Sequence, residues 1–114
     1  MLRNFIELNP NWEVCGEAGD GREAVRKTAE LHPDIVIMDL DMPRLNGLEA
    51  TRRIHEASPS VRVLILTLHD NVALPRIARE WGAQGCVAKS DPFDALTRAI
   101  ETLGDSESFF VSRN

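Results

Sequence analysis

The stretch Ile35-Val36-Ile37-Met38-Asp39-Leu40-Asp41-Met42-Pro43 decides the fold of this 114-residue chain. It opens with a run of apolar, mostly β-branched residues, which predicts a strand buried on both faces of a parallel sheet covered by helices. Asp39 follows this run directly, and Pro43, which has no backbone donor, ends any continuation of the strand. Because chemistry in open parallel sheets collects at the carboxyl ends of the strands, Asp39 is a candidate site residue. The alternative is that Asp39 caps a loop or the next helix.

Strand and helix patterns alternate on both sides of this stretch. Apolar spacing predicts the last turns of a helix within residues 1–9, strands over 12–18 and 61–67, a short strand over 86–88, and helices over 22–31, 45–57 and 91–103. A further helix is predicted to begin near Leu74, because Pro75 is tolerated only in a first turn. The tail Ser108-Phe109-Phe110-Val111-Ser112 is apolar enough for another strand or a docking segment. This alternation predicts a single α/β domain with a parallel sheet and helices on both faces.

Composition narrows the classes of function. A net charge of −5 argues against direct nucleic-acid binding, which needs clustered Lys and Arg. No apolar run approaches the ~20 residues that cross a bilayer, and the first residues lack the pattern of a signal peptide. Cys15 and Cys86 are widely separated, as expected of small, reduced residues in a cytoplasmic protein. No phosphate-binding glycine loop or hydrolase set of Ser, His and Asp follows the strands, so a small enzyme of this fold is not favoured.

Three polar residues directly follow three apolar strand patterns, namely Asp39, Thr67 and Lys89. Parallel strands bring such positions to one edge of the sheet. A carboxylate can act there as a nucleophile towards a phosphoryl group, while a hydroxyl and an ammonium pair with its oxygens. Taken singly, Thr67 is better explained by a hydrogen bond to its own backbone, and Lys89 by a solvated end of a short strand. Their coincidence at successive strand ends favours the site.

The chain resembles the receiver domain of two-component response regulators, particularly those joined to a LuxR-type helix-turn-helix. The matching stretches are EVCGEAGDGREAV, HPDIVIMDLDMPRLNGLEATRRI, VLILTLHDN and WGAQGCVAKSDPFDALTRAI. The resemblance implies a flavodoxin-like three-layer sandwich with strand order 2-1-3-4-5. It also implies that Asp39 is the phosphoacceptor, that Thr67 and Lys89 bind the phosphoryl group, and that the Asp41 backbone carbonyl joins Asp39 in binding Mg²⁺.

One departure from the family lies at the start of the chain. Receivers begin with a strand that ends in two adjacent acids, which hold the metal, whereas residues 1–11 offer no such pair. The expectation is therefore a receiver-like domain over 1–114, with about 1–9 as a remnant of the first helix and 104–114 as a tail or linker. In this interpretation the central first strand and the metal-binding acid pair are missing, and Mg²⁺ binding is weak.

A missing central strand would leave two rows of unpaired backbone groups. Three arrangements would repair the sheet: direct pairing of 12–18 with 34–39, insertion of the tail SFFVS from the same or another chain, or association of two chains. Dimerisation or strand exchange is the hypothesis favoured at this point.

A second departure is Cys86, which stands where receivers usually carry the Tyr or Phe of their switch. Cys86 is too small to take the place of that aromatic ring. The output surface on the receiver's fourth and fifth helices would therefore respond to phosphorylation weakly or by another route. The expected partners are a sensor histidine kinase and an output or partner protein. The rival hypothesis is a pseudo-receiver, a protein-interaction module whose fold persists without phosphotransfer.

Overall fold

The computed structural model describes the backbone of residues 6–10, 12–40, 47–67, 73–88, 93–103 and 108–112, and their side chains apart from 93–95, 102–103 and 108–112. Five strands alternate with four helices over most of this length. In chain order the elements are β1 (Glu13–Ala18), α1 (Gly21–Leu31), β2 (Ile35–Asp39), α2 (Gly47–Ala57), β3 (Arg62–Thr67), α3 (Leu74–Glu80), β4 (Gly85–Ala88), α4 (Phe93–Leu103) and β5 (Ser108–Ser112). Residues 6 and 7 are also helical, ahead of a turn at 8–10.

Strand β2 is buried along its whole length, as its apolar run predicts. Because successive side chains of a strand point to opposite faces, Val36 and Met38 pack into one hydrophobic cluster while Ile35 and Ile37 pack into another. The first cluster includes residues of α1, α2 and α3, and the second includes Leu96 and Ile100 of α4. The sheet is therefore the middle layer of three, which confirms the predicted sandwich.

Helix α1 has defined caps at both ends. The Asp20 carboxylate accepts a hydrogen bond of 2.9 Å from the Glu23 backbone N–H, and the Glu23 carboxylate accepts one of 2.8 Å from Gly19 N–H. At the other end His32 adopts a left-handed conformation (φ 50°) and donates its N–H to the Thr28 carbonyl. The sequence Gly19-Asp20-Gly21 thus forms the turn at which helix α1 begins.

The sheet order is β1-β5-β2-β3-β4, and every neighbouring pair is parallel. Strand β5 comes last in the sequence, yet it lies between β1 and β2. Its residues pair with β1 from Glu13↔Ser108 to Ala18↔Ser112, and with β2 from Ile35↔Phe109 to Ile37↔Val111. A parallel strand in this position can follow α4 only by crossing over β3 and β2.

This order shows how the central strand position is filled in a chain that lacks the family's first strand, for which dimerisation or strand exchange was the favoured expectation. Of the three repairs considered, the structure has the tail SFFVS inserted in its own chain, so the sheet is complete within one chain. Segment 108–112 forms strand β5 of this sheet, which is one of the two possibilities that its apolar sequence left open. The physical reason is that β1 and β2 each need a partner for their inner row of backbone groups, and an apolar parallel strand supplies both.

Element boundaries follow the predictions closely. Helix α3 begins at Leu74 with Pro75 in its first turn, as predicted. The predicted helices over 45–57 and 91–103 are seen as 47–57 and 93–103. The first two residues of each prediction, 45–46 and 91–92, lie outside the described part of the chain. Among the described residues, no helix combines the length and the apolar character that a membrane span requires.

We expect Gly82→Ala to destabilise the protein, because Gly82 has a φ of +107° and an added Cβ would lie 2.7 Å from His55 Cβ. The left-handed backbone and the clash together should lower the free energy of unfolding by about 2 kcal/mol. Urea denaturation followed by circular dichroism measures the change. Gly19→Ala is the matched control, since its added Cβ meets no heavy atom closer than 4.0 Å and should change the stability by less than about 0.5 kcal/mol.

A second prediction concerns the central strand. Val111→Pro removes a backbone donor from a residue that pairs in register with both Glu17 and Ile37. The free energy of unfolding should fall by about 3 kcal/mol or more, whereas Val111→Thr, which keeps the N–H and the β-branched shape, should have a much smaller effect. Equal stability of the two variants in the same urea titration would contradict the central position of β5.

Candidate functional site

The carboxyl edge of the sheet holds the first two predicted site residues. Asp39 is the last residue of β2 and Thr67 is the last residue of β3, the neighbouring strand. Asp39 pairs in register with Leu66, so Thr67 lies one residue beyond it on a strand about 4.8 Å away. Asp39 is 6% exposed and Thr67 is 2% exposed. Such deep burial is unusual for a carboxylate and indicates that the fold holds Asp39 in its position.

The backbone next to Asp39 is fixed from two sides. Leu40 N–H donates to the Leu66 carbonyl at 2.9 Å, which extends the pairing of β2 with β3 beyond Asp39. On the other side Gly47 N–H, at the start of α2, donates to the Leu40 carbonyl at 3.4 Å. Inside α2, the Thr51 hydroxyl donates to the Gly47 carbonyl at 2.7 Å, so the first turn of the helix is itself braced.

Gly47 is a residue that the sequence analysis did not single out. A Cβ at this position would lie 2.8 Å from both the Asp39 carbonyl oxygen and Leu40 Cα, closer than side-chain carbons approach a backbone. The close approach of α2 to the end of β2 therefore requires glycine at residue 47. The signal in the sequence was a glycine in the first turn of an amphipathic helix, eight residues after the candidate carboxylate.

Lys89 and Asp41, two of the predicted site residues, lie outside the described part of the chain. The described residues bring Asp39 and Thr67 to one edge of the sheet. The neighbouring strand β4 ends at Ala88, which is the register partner of Thr67. Lys89 follows Ala88 directly in the sequence.

Cys86 lies on the same strand, opposite Ile65, and is partly buried against the cluster shared by α1, α2 and α3. Burial raises the pKa of the Cys86 thiol, so the thiol stays protonated and apolar at neutral pH. Cys86 is thus a small, partly buried side chain at this position of β4.

The described residues do not fit the Mg²⁺ site that the resemblance implies. Magnesium is bound by several oxygen ligands, usually including one or two carboxylates. In the part of the chain that the structure describes, no group of three or more acidic, histidine or cysteine side chains lies together. The strand beside β2 is β5, whose sequence SFFVS contains no carboxylate. Asp39 is therefore the one acid that the described strand ends bring to this edge.

A groove of about 320 Å³ lies elsewhere, between the ends of α2 and α3. It is lined by Arg52, His55, Glu56, Arg79, Glu80, Trp81 and Gly82, and the Arg52 guanidinium lies 5.7 Å from the centre of the Trp81 ring. Arg52 also pairs with Glu56 at 3.6 Å, and both side chains are more than half exposed. Because helices return antiparallel to the strands, this groove lies at the end of the sheet away from Asp39. Its charges of both signs favour a solvated surface.

Comparison with known proteins agrees with this geometry. The family described as the response regulator receiver domain matches residues 1–101. The chain is 40% identical over 102 residues to the transcriptional regulatory protein LnrK of Bacillus subtilis, a match that covers 90% of this chain and 46% of LnrK. It is 38% identical over 103 residues to the chemotaxis protein CheY of Thermotoga maritima, covering 90% of this chain and 82% of CheY. The chain spans about half the length of the transcriptional regulators that it matches.

The solved structures agree on the fold. A two-component response regulator of the LuxR family from Aurantimonas sp. SI85-9A1 superposes with a TM-score of 0.86 at 42% identity, covering 94% of this chain and 77% of that one. The receiver domain structure of Thermotoga maritima CheB gives a TM-score of 0.74 at 34% identity, covering 90% of this chain and 79% of that one. With a parallel sheet between two layers of helices and an aspartate at the end of its second strand, this chain belongs to the response regulator receiver domain family.

Proposed function

We propose that this domain accepts a phosphoryl group on Asp39 from a sensor histidine kinase in the cytoplasm. The resulting change in shape would then pass to an output or partner protein through α3 and α4. The observation that carries this proposal is the buried Asp39 at the carboxyl end of a strand covered on both faces, in a chain of the receiver family. Members of this family are signalling proteins rather than classical enzymes.

The proposed step is a group transfer between two side chains. An Asp39 carboxylate oxygen attacks the phosphorus of the kinase's phosphohistidine, the N–P bond breaks, and the imidazole leaves with the electron pair of that bond. The phosphoryl group then carries roughly −1.5 to −2 charges in place of the single charge of the carboxylate. We assign Thr67 Oγ1 as a hydrogen-bond donor to a phosphoryl oxygen, and Lys89 Nζ as the cation that pairs with the new charge.

Burial explains why such a step would change the shape of the domain. Added charge is costly next to the apolar side chains of β2 and β3 unless donors move towards it. Thr67 is 2% exposed, and its neighbour across the ladder is Ala88, the residue before Lys89. A shift of Thr67 towards the phosphoryl group would therefore disturb β4 and the partly buried Cys86, and through them the adjacent α3.

Receiver domains generally bind Mg²⁺ at the phosphorylation site. Since the described residues do not fit that ion, we expect phosphorylation of this chain to be slow. Without a divalent cation, charge neutralisation would rest on Thr67 and Lys89 together with backbone donors.

A second function, the phosphorylation-independent interaction module, is favoured by one specific observation. The strand next to β2 supplies no carboxylate, and Cys86 replaces a bulky switch residue, so the parts needed for phosphotransfer and readout are reduced. In this case the surface formed by α3 and α4 would bind its partner at all times. The next experiment separates the two functions.

Incubation with a small acyl phosphate donor should add one phosphoryl group to the wild-type chain, measured by intact mass. Asp39→Asn keeps the shape of the side chain but removes the nucleophile, so the gain should disappear in this variant. The added phosphoryl group should be lost at alkaline pH, as expected of an acyl phosphate. A wild-type chain that gains no mass, with Mg²⁺ or with a chelator, would reject the phosphoacceptor proposal in favour of the interaction module.

Gly47→Ala should slow this phosphorylation about tenfold or more, because its Cβ would displace the backbone of Asp39 and Leu40 from their present positions. The rate of mass gain under the same donor measures the effect, and circular dichroism confirms that the variant is folded. Gly19→Ala, at an open position, is the matched control and should leave the rate unchanged. A folded Gly47→Ala variant with the wild-type rate would show that the close approach of α2 does not position Asp39.

A further inference from the structure

The position of β5 carries an inference that is independent of phosphorylation. We infer that the slot between β1 and β2 is a strand-acceptor site, and that it takes β5 from a second copy of the chain as well as from its own. The occupant is defined by the structure, because β5 already fills this slot with a parallel register on both sides.

The contacts that hold β5 come from the amino-terminal part of the chain. Five of its residues pair in register with β1 and three pair with β2, and α1 packs over β5 as well as over β1. Helix α4, which precedes β5 in the sequence, packs mainly against β3 and β4. The pairing groups are therefore presented identically by every copy, and residues 104–107 supply the covalent connection that makes the present arrangement intramolecular.

The slot cannot simply close when β5 leaves it. Direct pairing of β1 with β2 would require β1 to move by one strand spacing, about 4.8 Å. Helix α1 opposes this movement because it packs against both β1 and α2, and the Lys27 ammonium of α1 donates a 2.6 Å hydrogen bond to the Glu17 carbonyl of β1. An empty slot would leave two rows of backbone groups without partners, one of them beside the fully buried Val36 and Ile37.

Concentration then decides between the two arrangements. The same pairing of β5 with β1 and β2 forms in the intramolecular and in the exchanged arrangement. The covalent connection therefore acts only by setting the effective concentration of β5 at its own slot, which is in the millimolar range for short linkers. At micromolar concentration the intramolecular form dominates. Chains that fold together at roughly millimolar concentration should exchange β5, since the strand of a neighbour is then as available as their own.

Disulfide trapping tests this directly in full chains that carry Cys15→Ala and Cys86→Ala. Ala18 and Ser112 are register partners, and neighbouring strands have a Cα separation that a disulfide can span. One chain carries Ala18→Cys and the other carries Ser112→Cys. The two are refolded together from denaturant at roughly 1 mM and then oxidised. We expect a covalent heterodimer on a non-reducing gel, because residue 18 is 1% exposed and is reached by a thiol seated in the position of β5.

Three controls make the result decisive. A single chain with both cysteines should close on itself when refolded at roughly 1 µM and should give linked dimers at roughly 1 mM. Val111→Pro in the Ser112→Cys chain should abolish the heterodimer, because proline cannot donate to the ladder. Each single-cysteine chain refolded alone should give little linked product.

Three outcomes would overturn the inference. Failure of the doubly substituted chain to close at low concentration would mean that residues 18 and 112 are not neighbours. Absence of a heterodimer from the mixed chains at high concentration would mean that β5 does not exchange. An equal yield from the proline control would mean that the link forms by collision and not by strand insertion.

Discussion

The sheet depends on a strand from the far end of the chain being paired on both sides. Strands β1 and β2 each present an inner row of backbone N–H and C=O groups, and β5 satisfies both rows at once. An edge strand can leave one row to water, but a central position between two covered faces cannot. The helices then follow from the sheet: α1, α2 and α3 cover the face of Val36 and Met38, and α4 covers the face of Ile35 and Ile37.

The same constraint explains how a carboxylate comes to be held in a buried position. Because β2 is paired on both sides and packed on both faces, its last residue has little freedom, and Asp39 ends at the rim of the sheet with its backbone fixed by Leu66 and Gly47. A buried acid is costly, and such positions are typical of functional sites. The rigidity of the scaffold thus carries over to Asp39, the residue that we propose as the phosphoacceptor.

The sequence predicted most elements because their signals are local. The apolar run at 35–38 and the proline at 75 each determine a boundary through interactions within a few residues. The place of SFFVS could not be predicted in the same way, since its pattern indicates a strand but not its neighbours, and the pairing joins distant segments. The importance of Gly47 was not predicted for a related reason, because its close contact with Asp39 and Leu40 depends on how α2 packs against the end of β2. Asp39 and Thr67 became candidates through their strand-end positions and the chemistry of a carboxylate and a hydroxyl, and the resemblance then implied their roles as phosphoacceptor and phosphoryl-binding residue.

The parallel ladder between β1 and β5 also bears on how the chain folds during synthesis. Its register partners Glu13 and Ser108 are about 95 residues apart, so the ladder cannot form until residues 108–112 have left the ribosome. Until then, β1 and β2 are present without the strand that separates them, and their inner edges remain open to non-native pairing. The last strand of the sheet to be translated therefore completes its centre, and the nascent domain depends on this strand for its native sheet.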